Sequence, residues 1–374
     1  MKLPFNYLLY PLKARRFYRL FLILMLIFVG YHAIVWYFFT SKLLDVHHPH
    51  HIGDLARIGY QYDSAHYRLA ERTLPRHYIN GADYDGKPVD ILTVGDSFSN
   101  GGGGGANPYY QDFLATGCQC RVLNLQQLFD DVTYIETVIA WINSGYLNIL
   151  RPKIILIESI ARSSFGRFSV AQNWELNASL KLIQDKTAFS DWGEGVVLAA
   201  TPPIINTANY KYPLYNLYYQ FSPTAFDKSH TYKLPLKEEL FSVKAGSTLL
   251  FYDQDATGIH LITQAYVTKM NDNLNRLALL LKPLGIALYV MPAVDKYDLY
   301  QPFLSSDLFA KNPLFEFWRP LRKEYIFVDT KAILSRALQS GVKDVFFADD
   351  THWSPVASDA VVKAILPKIK DDLN

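Results

Sequence analysis

Cysteine is scarce in this chain of 374 residues, which contains two, Cys118 and Cys120. Two cysteines are too few for a disulfide framework and too few for a structural zinc site. A bond between two cysteines spaced C-x-C would close a very small, strained ring. We therefore predict two unpaired thiols.

An excess of charge of one sign is also missing. The 37 Lys and Arg residues nearly balance the 35 Asp and Glu residues, and the formal net charge is +2. Proteins that hold nucleic acid through its phosphates usually carry a clear basic excess, so we expect no nucleic-acid partner. The length allows one large domain or two ordinary ones.

Two common motifs of catalytic loops are absent. The G-x-S-x-G elbow of the α/β-hydrolases does not occur. Five consecutive glycines, Gly101 to Gly105, lead into Ala106-Asn107-Pro108 instead of the Gly-Lys-Ser/Thr of a Walker A loop. These absences argue against an α/β-hydrolase fold and against a loop that binds nucleotide phosphates.

The N-terminus has the features of a membrane anchor. Residues 1–19 form a basic segment without an acid, and residues 20–40 are almost wholly apolar, which is enough to span a bilayer core. The positive-inside rule places the N-terminus in the cytoplasm and the remainder beyond the inner (cytoplasmic) membrane, in the periplasm or outside. Because Thr40-Ser41-Lys42-Leu43-Leu44 offers no A-x-A cleavage pattern, we predict an uncleaved, single-pass signal anchor, with a buried core helix as the alternative.

Residues 41–87 are predicted to be a juxtamembrane linker followed by a mixed helix and loop segment, called the lead-in, that precedes the α/β domain. They contain His47-His48-Pro49-His50-His51, a run that could bind a metal ion. Proline interrupts any regular ligand spacing, and no cysteine or carboxylate cluster accompanies the histidines. We therefore favour a solvated linker and predict neither a metal site nor a cofactor.

From residue 88 onward, short apolar strands alternate with helical patterns. This alternation is typical of a doubly wound α/β fold with a parallel sheet, in which the site lies at the carboxyl ends of the strands. We predict one such domain over residues 88–374. The predicted strands are 90–94, 122–125, 153–157, 286–291 and 325–328, and the predicted helices are 108–115, 134–147, 262–281 and 355–365.

Residues 165–255 interrupt the alternation and are interpreted as an insertion carried on the sheet. The stretch is rich in aromatic and turn-forming residues, including Thr201-Pro202-Pro203 and several tyrosines between residues 210 and 219. Its aromatic side chains could stack on sugar rings, lie against the membrane surface, or simply pack within a loop-rich excursion. The sequence leaves these three alternatives open.

The first predicted strand ends in Gly95-Asp96-Ser97, a turn that would expose a serine hydroxyl at the sheet edge. A serine nucleophile needs a base, a group that orients this base, and N–H donors for the oxyanion. Among ten histidines, His352 is the best candidate base, because Asp349 and Asp350 precede it. Either carboxylate could fix the imidazole, and the alternative is that this string only caps the helix that follows.

The glycine run supplies the candidates for an oxyanion hole. Glycines let the backbone approach a ligand closely and direct its N–H groups inward. We expect Gly101 and Gly102 to contribute here, together with the N–H of Ser97. The alternative is a flexible connector.

These residues resemble the SGNH hydrolases. Gly95-Asp96-Ser97-Phe98 is similar to their nucleophile block, and Asp350-Thr351-His352-Trp353-Ser354-Pro355 is similar to the Asp-x-His-Trp block of the branch that contains the alginate O-acetyltransferases of the AlgJ and AlgX type. Glu158 and Arg162 are similar to that branch's Glu-x-x-x-Arg motif. Pro292 and Lys296 stand where such proteins often carry Pro and Lys. The resemblance covers about residues 88–366.

The resemblance implies a catalytic triad of Ser97, His352 and Asp350, with Asp349 in reserve. Such a triad would take an acetyl group as an acyl-serine and pass it to a hydroxyl of a polysaccharide. A polytopic membrane acyltransferase would supply the acetyl group, and no cofactor would be needed. Glu158 and Arg162 would position the substrate or, equally, form a buried structural ion pair.

Two other functions fit the same sequence. A carbohydrate acetylesterase would use the same triad with water in place of the sugar, and the sequence does not distinguish the two. A catalytically silent, glycan-binding subunit of an exopolysaccharide export complex would use the aromatic insertion instead of the triad.

Overall fold

The computed structural model describes residues 10–45, 52–66, 68, 72–188, 202–226, 229–306 and 308–374. The strands are β1 Ile79–Asn80, β2 Ile91–Val94, β3 Val122–Asn124, β4 Ile154–Ile160, β5 Thr231–Pro235, β6 Thr248–Tyr252, β7 Ala287–Ala293 and β8 Ile326–Phe327. The helices are α1 Tyr10–Val35, α2 Ser41–Leu44, α3 Asp54–Gly59, α4 Tyr110–Cys118, α5 Tyr134–Asn143, α6 Tyr146–Leu150, α7 Ala161–Phe168, α8 Leu180–Thr187, α9 Ala208–Tyr218, α10 Gln254–Thr257, α11 Gln264–Leu281, α12 Lys296–Tyr300, α13 Leu314–Trp318, α14 Thr330–Gln339 and α15 Pro355–Leu373.

Six strands form one parallel sheet in the order β1-β3-β2-β4-β7-β8. The predicted α/β class with a parallel sheet is therefore confirmed. All residues of β2 and β4 are buried, as expected of strands covered on both faces. The chain passes from β2 to β3 on one side and then to β4 on the other, so the winding reverses at β2. Ligand sites of open α/β sheets lie at such a reversal.

The helices pack in two groups, as expected of helices that cover the sheet. In one group, α15 contacts α4 and α14, and in the other, α11 contacts α5, α7 and α13. The last helix begins at Pro355, where the Ser354 hydroxyl accepts the N–H of Val356 at 3.0 Å as an N-cap. This cap fixes the chain immediately after His352, so the end of the loop that carries His352 has a defined position.

All five predicted strands are present, with small shifts at their ends. The third is longer than expected and includes Glu158, since β4 continues to Ile160. β1 was not predicted, because two residues are too short to show a period in the sequence. The predicted helix over 134–147 divides into α5 and α6 at Gly145, whose φ of 76° is left-handed.

The insertion contains a two-stranded antiparallel sheet, which the sequence analysis did not predict. β5 pairs with β6, and the ring of Phe251 in β6 packs against the ring of Tyr297, with 4.9 Å between their centroids. Leu249 and Phe251 are fully buried and belong to the main core. This part of the insertion is therefore packed onto the parallel sheet domain as a structural layer.

The prediction of two unpaired thiols is wrong, because Cys118 and Cys120 form a disulfide bond. The helix α4 ends at Cys118, and the next residue, Gln119, has a left-handed backbone with a φ of 58°. This turn brings the two Cα atoms to 5.2 Å, which is within the usual range for disulfides. The helix is three residues longer than the predicted end at Ala115, which places the turn between the two cysteines.

The N-terminal helical stretch Ala14–Leu44 is long and apolar enough to cross a membrane. It consists of α1 from Ala14 onward, a π-helical turn at Trp36–Thr40, and α2. The side chains from Phe17 to Val29 are exposed, as expected of a surface that faces lipid. The compartment and orientation stay predictions, and the run from His47 to His51 lies outside the described residues.

Candidate active site

Ser97 lies in the turn that follows β2, at the carboxyl edge of the sheet. Gly95 precedes it at a point of very close packing: a Cβ atom there would lie 2.3 Å from Ser99 Oγ and 2.5 Å from Glu158 Oε2. A glycine is therefore required for the turn to pass beside β4. Ser97 is half-buried.

The structure brings Ser97, His352 and Asp350 together in one hydrogen-bonded row. Ser97 Oγ lies 2.7 Å from His352 Nε2, and His352 Nδ1 lies 2.7 Å from Asp350 Oδ1. In the neutral imidazole, Nδ1–H donates to the carboxylate and Nε2 accepts the serine proton. This is the arrangement of a nucleophile, a general base and a group that orients the base.

Asp350 and Asp349 have different roles in the structure. The side chain of Asp350 contacts His352 twice, accepting its Nδ1–H and its backbone N–H. Asp349 points the other way and accepts the backbone N–H groups of Gly53 at 2.9 Å and His66 at 3.0 Å. The geometry therefore favours Asp350 as the partner of the imidazole, and Asp349 fastens the loop to the lead-in.

The pKa values of the pair move in opposite directions. Burial alone would raise the pKa of Asp350, but the hydrogen bond from His352 and the charges of His352 and Arg68 hold it well below its usual range. Burial alone would lower the pKa of His352, but its hydrogen bond to Asp350 and the charges of Asp350, Asp54 and Asp96 raise it. Asp350 is therefore ionised at neutral pH, and His352 requires a higher pH than an ordinary histidine to act as a base.

Lys296 supports the loop that carries the pair. It is 1% exposed, and its ammonium donates to the carbonyl oxygens of Phe347, Ala348 and Asp350 at 2.7, 3.0 and 2.9 Å. Burial lowers the pKa of Lys296 to about 8, although nearby carboxylates oppose this shift. All three ammonium donors are used within the loop, so Lys296 is a positioning residue.

Two residues of the lead-in complete the site, and the sequence analysis missed both. Arg68 pairs with Asp349 at 2.8 Å and with Asp350 at 3.3 Å, and its Nε donates to the carbonyl of Gly103 at 2.8 Å. Asp54 accepts the backbone N–H of Thr351 at 2.8 Å and its hydroxyl at 2.6 Å. Neither residue lies in a recognisable motif, since their partners are far away in the sequence.

Asp54, Asp350 and His352 also form a cluster whose oxygen and nitrogen atoms lie within 4.8 Å of one another, as metal ligands would. Their atoms are already engaged, since Asp350 Oδ1 accepts from His352 and both oxygens of Asp54 accept from Thr351. Burial and the charge of Asp350 raise the pKa of Asp54. We interpret the cluster as the charged surroundings of the imidazole.

Gly101 and Gly102 lie against the triad, and close packing restricts both positions. A Cβ atom on Gly102 would lie 2.3 Å from His352 Cδ2 and Nε2, and the Gly102 N–H donates to the carbonyl of Ser97 at 2.7 Å. A Cβ atom on Gly101, whose φ is 77°, would meet the ring of Tyr109 at 2.8 Å. The Gly102 N–H is therefore committed to the turn, whereas the N–H of Ser97 has no hydrogen-bond acceptor among the described residues. A backbone N–H that is unpaired beside a serine nucleophile is a candidate donor to an oxyanion.

Glu158 and Arg162 do not pair with each other. Glu158 is fully buried, and its Oε2 accepts the N–H of Asp96 at 3.2 Å and the hydroxyl of Ser99 at 2.9 Å. Burial, followed by the charge of Asp96, raises the pKa of Glu158 well above its usual range. Glu158 therefore stabilises the turn that contains Ser97 by accepting hydrogen bonds from the residues on either side of it.

Arg162 contacts a different set of carboxylates. Its Nη1 pairs with Asp255 at 3.1 Å and with Asp295 at 3.0 Å. This contact joins α7 to α10 of the insertion and to the end of β7. A second arginine, Arg167, contacts the residue before Ser97: it donates to Asp96 at 2.5 Å and to Ser159 Oγ at 2.7 Å. No motif in the sequence had indicated Arg167.

The close approach of Gly102 to His352 makes a testable prediction. We expect Gly102→Ala to push the imidazole away from Ser97 and to lower kcat/KM for an ester substrate by about a hundredfold, the usual cost of misplacing a catalytic group by about 1 Å. The matched control is Gly258→Ala, where a Cβ atom meets nothing within 4 Å. Equal activity of the two variants would contradict this account of the glycine.

The charge of Asp54 makes a second prediction. His352 must be neutral to accept the serine proton, so kcat/KM falls at pH values below its pKa. Because the Asp54 carboxylate raises this pKa, Asp54→Asn is expected to move the acid limb of the pH profile to lower pH. Asp63→Asn, at an exposed carboxylate paired with Lys244, serves as the control and is expected to leave the limb unchanged. A shift to higher pH in Asp54→Asn would contradict the electrostatic role.

Comparison of the chain with protein-family models, curated proteins and solved structures gives no match. The geometry of the residues therefore carries the functional argument. A half-buried serine lies within hydrogen-bond distance of a histidine that a buried carboxylate orients, at the point where the winding of a parallel sheet reverses.

Proposed function

We propose that this protein is a membrane-anchored, extracytoplasmic O-acetyltransferase that transfers acetyl to a polysaccharide hydroxyl through an acyl-serine. The observation that supports acyl transfer is the row Ser97–His352–Asp350, with both links at 2.7 Å. The choice of acetyl and of a polysaccharide rests on the resemblance of the two motifs to the alginate O-acetyltransferases. The same resemblance suggests a polytopic membrane acyltransferase as the source of acetyl.

The chemistry follows from the positions of the atoms. His352 Nε2 accepts the proton of Ser97 as Oγ attacks the carbonyl carbon of the donor, and the N–H of Ser97 faces the developing oxyanion. The imidazolium then gives this proton to the leaving group, and an acetyl-serine remains. In the second half, His352 takes the proton of the sugar hydroxyl, which attacks the acetyl carbon, and the proton returns to Ser97 Oγ as the product leaves.

Two features support the extracytoplasmic setting. The helical stretch Ala14–Leu44 provides the anchor, and the basic flank at Arg15, Arg16 and Arg19 favours an N-terminus in the cytoplasm. Cys118 and Cys120 form a disulfide, and disulfides form and persist mainly in oxidising compartments outside the cytoplasm.

The test uses the full-length chain in detergent micelles, an activated acetyl ester as donor, and an oligosaccharide as acceptor. We expect the wild-type protein to form acetylated sugar, and Ser97→Ala to lose at least about a thousandfold in rate. The matched control is Ser306→Ala, an exposed serine outside the site, which is expected to retain the wild-type rate.

The products distinguish the alternatives. If the wild-type protein releases only acetate with every acceptor that is offered, the esterase replaces the transferase. If Ser97→Ala and the wild-type protein give equal amounts of both products, the triad is silent, and the proposed acyl transfer is wrong.

A further inference from the structure

The insertion carries a stretch of exposed apolar surface that the proposed reaction does not use. We call residues 202–221 the docking segment; it consists of a short lead and the helix α9, followed by a turn. Its exposed large apolar side chains are Ile204, Ile205, Tyr210, Leu214, Leu217, Tyr218 and Phe221, and Phe221 is 82% exposed. Large apolar side chains that are exposed together on one segment indicate a surface that binds a partner or a membrane.

The composition of the docking segment points to lipid. Over its length it has a single charged residue, Lys211, and five tyrosines. A helix exposed to water normally carries charged residues on its outer face. Tyrosine is enriched where a membrane meets water, and a lysine beside apolar residues can extend its ammonium to the headgroups.

The opposite side of the docking segment is fastened to the N-terminal anchor by polar contacts. Asn209 is fully buried: its Nδ2 lies 2.8 Å from His32 Nδ1, and its Oδ1 accepts the hydroxyl of Thr40 at 2.5 Å. Tyr31 donates to the carbonyl of Asn209 at 2.7 Å, and Tyr210 Oη lies 2.9 Å from His32 Nε2. Polar groups inside a membrane span require such partners, since lipid offers none.

A second group of contacts fixes the height of the segment along the anchor. Trp36 Nε1 donates to the carbonyl of Pro202 at 2.7 Å, and the rings of Phe39 and Tyr212 are stacked at 4.4 Å.

The depth of these contacts in the membrane follows from the position of His32, which follows Leu20 by twelve residues. At a rise of about 1.5 Å per residue, His32 lies about 18 Å into a hydrocarbon core about 30 Å thick that begins at Leu20. The partners of His32 in the docking segment therefore lie below the outer surface of the membrane.

We propose that the docking segment is embedded in the outer leaflet of the bilayer, where Leu214, Leu217, Tyr218 and Phe221 contact lipid. It forms a second membrane contact that holds the folded domain at a fixed height and rotation beside its own anchor. The inference rests on the membrane anchor of the proposed function and does not depend on the acyl-transfer chemistry.

The test places one fluorescent reporter at a time in the full-length chain, reconstituted in vesicles of equal parts phosphatidylethanolamine and phosphatidylglycerol. Leu217→Cys carries an NBD label in the docking segment, since both native cysteines are held in a disulfide and do not react with the label. Leu279→Cys is the matched control, because Leu279 is 51% exposed, like Leu217 at 52%, but lies on α11. Ile27→Cys reports on the anchor itself.

We expect a doxyl-labelled lipid to quench the Leu217→Cys label at least about twofold, since an interfacial helix lies about 5–10 Å below the headgroups. The Leu279→Cys label is expected to respond to aqueous iodide and not to the doxyl lipid. If Leu217→Cys responds like Leu279→Cys while Ile27→Cys is quenched by lipid, the docking segment is in water and the inference is wrong.

Two further outcomes also overturn the inference. If the Leu217→Cys label is shielded from both iodide and the doxyl lipid, a second copy of the chain covers the surface instead. If the Ile27→Cys label is not quenched by lipid, the anchor fails, and the membrane part of the proposed function fails with it. Loss of acetyl transfer alone would leave the lipid contact unaffected, so the two proposals can fail separately.

Discussion

The architecture of the site depends on keeping the buried carboxylate of Asp350 charged. A carboxylate that is 3% exposed is stable as an anion only if positive charge and hydrogen-bond donors surround it. His352 and Arg68 provide these donors at its side chain, and the ammonium of Lys296 holds the backbone carbonyls of the same loop. Removing one partner of such a buried pair typically costs about 3–5 kcal/mol, so these groups depend on one another.

The lead-in is as important for this arrangement as the sheet is. β2 places Ser97, but the loop that faces Ser97 is fixed by three residues of the lead-in. Gly53 contacts Asp349, Asp54 contacts Thr351, and Arg68 contacts Asp350. The same lead-in contacts α9, where Asn216 donates to the carbonyl of Tyr60 at 2.9 Å. The short helix α3 begins at Asp54, whose carboxylate raises the pKa of His352, and ends next to Tyr60, which contacts α9. A triad fixed near the anchor would act on donors and acceptors that stay close to the membrane.

The sequence predicted the parts of the site that local patterns specify. An apolar strand followed by Gly95-Asp96-Ser97, and an Asp-x-His before the N-cap Ser354, are short patterns, and they led to the three residues that the structure brings together. Asp54 and Arg68 could not be found in this way, because Asp54 meets Asp350 from 296 positions away in the chain. The disulfide was missed for a local reason, since the left-handed turn at Gln119 has no glycine to indicate it. The pair of β5 and β6 was missed because both strands have only five residues and lie in a stretch that was interpreted as a turn-rich insertion.

The most direct test of the central claim is whether Ser97 is a nucleophile that His352 activates. The full-length protein is treated with a serine-reactive fluorophosphonate, and the modified residue is located by peptide mass spectrometry. The account predicts an adduct on Ser97 and a labelling rate at least about a hundredfold lower in His352→Ala. An adduct on another serine, or the same rate in His352→Ala as in the wild-type protein, would contradict it.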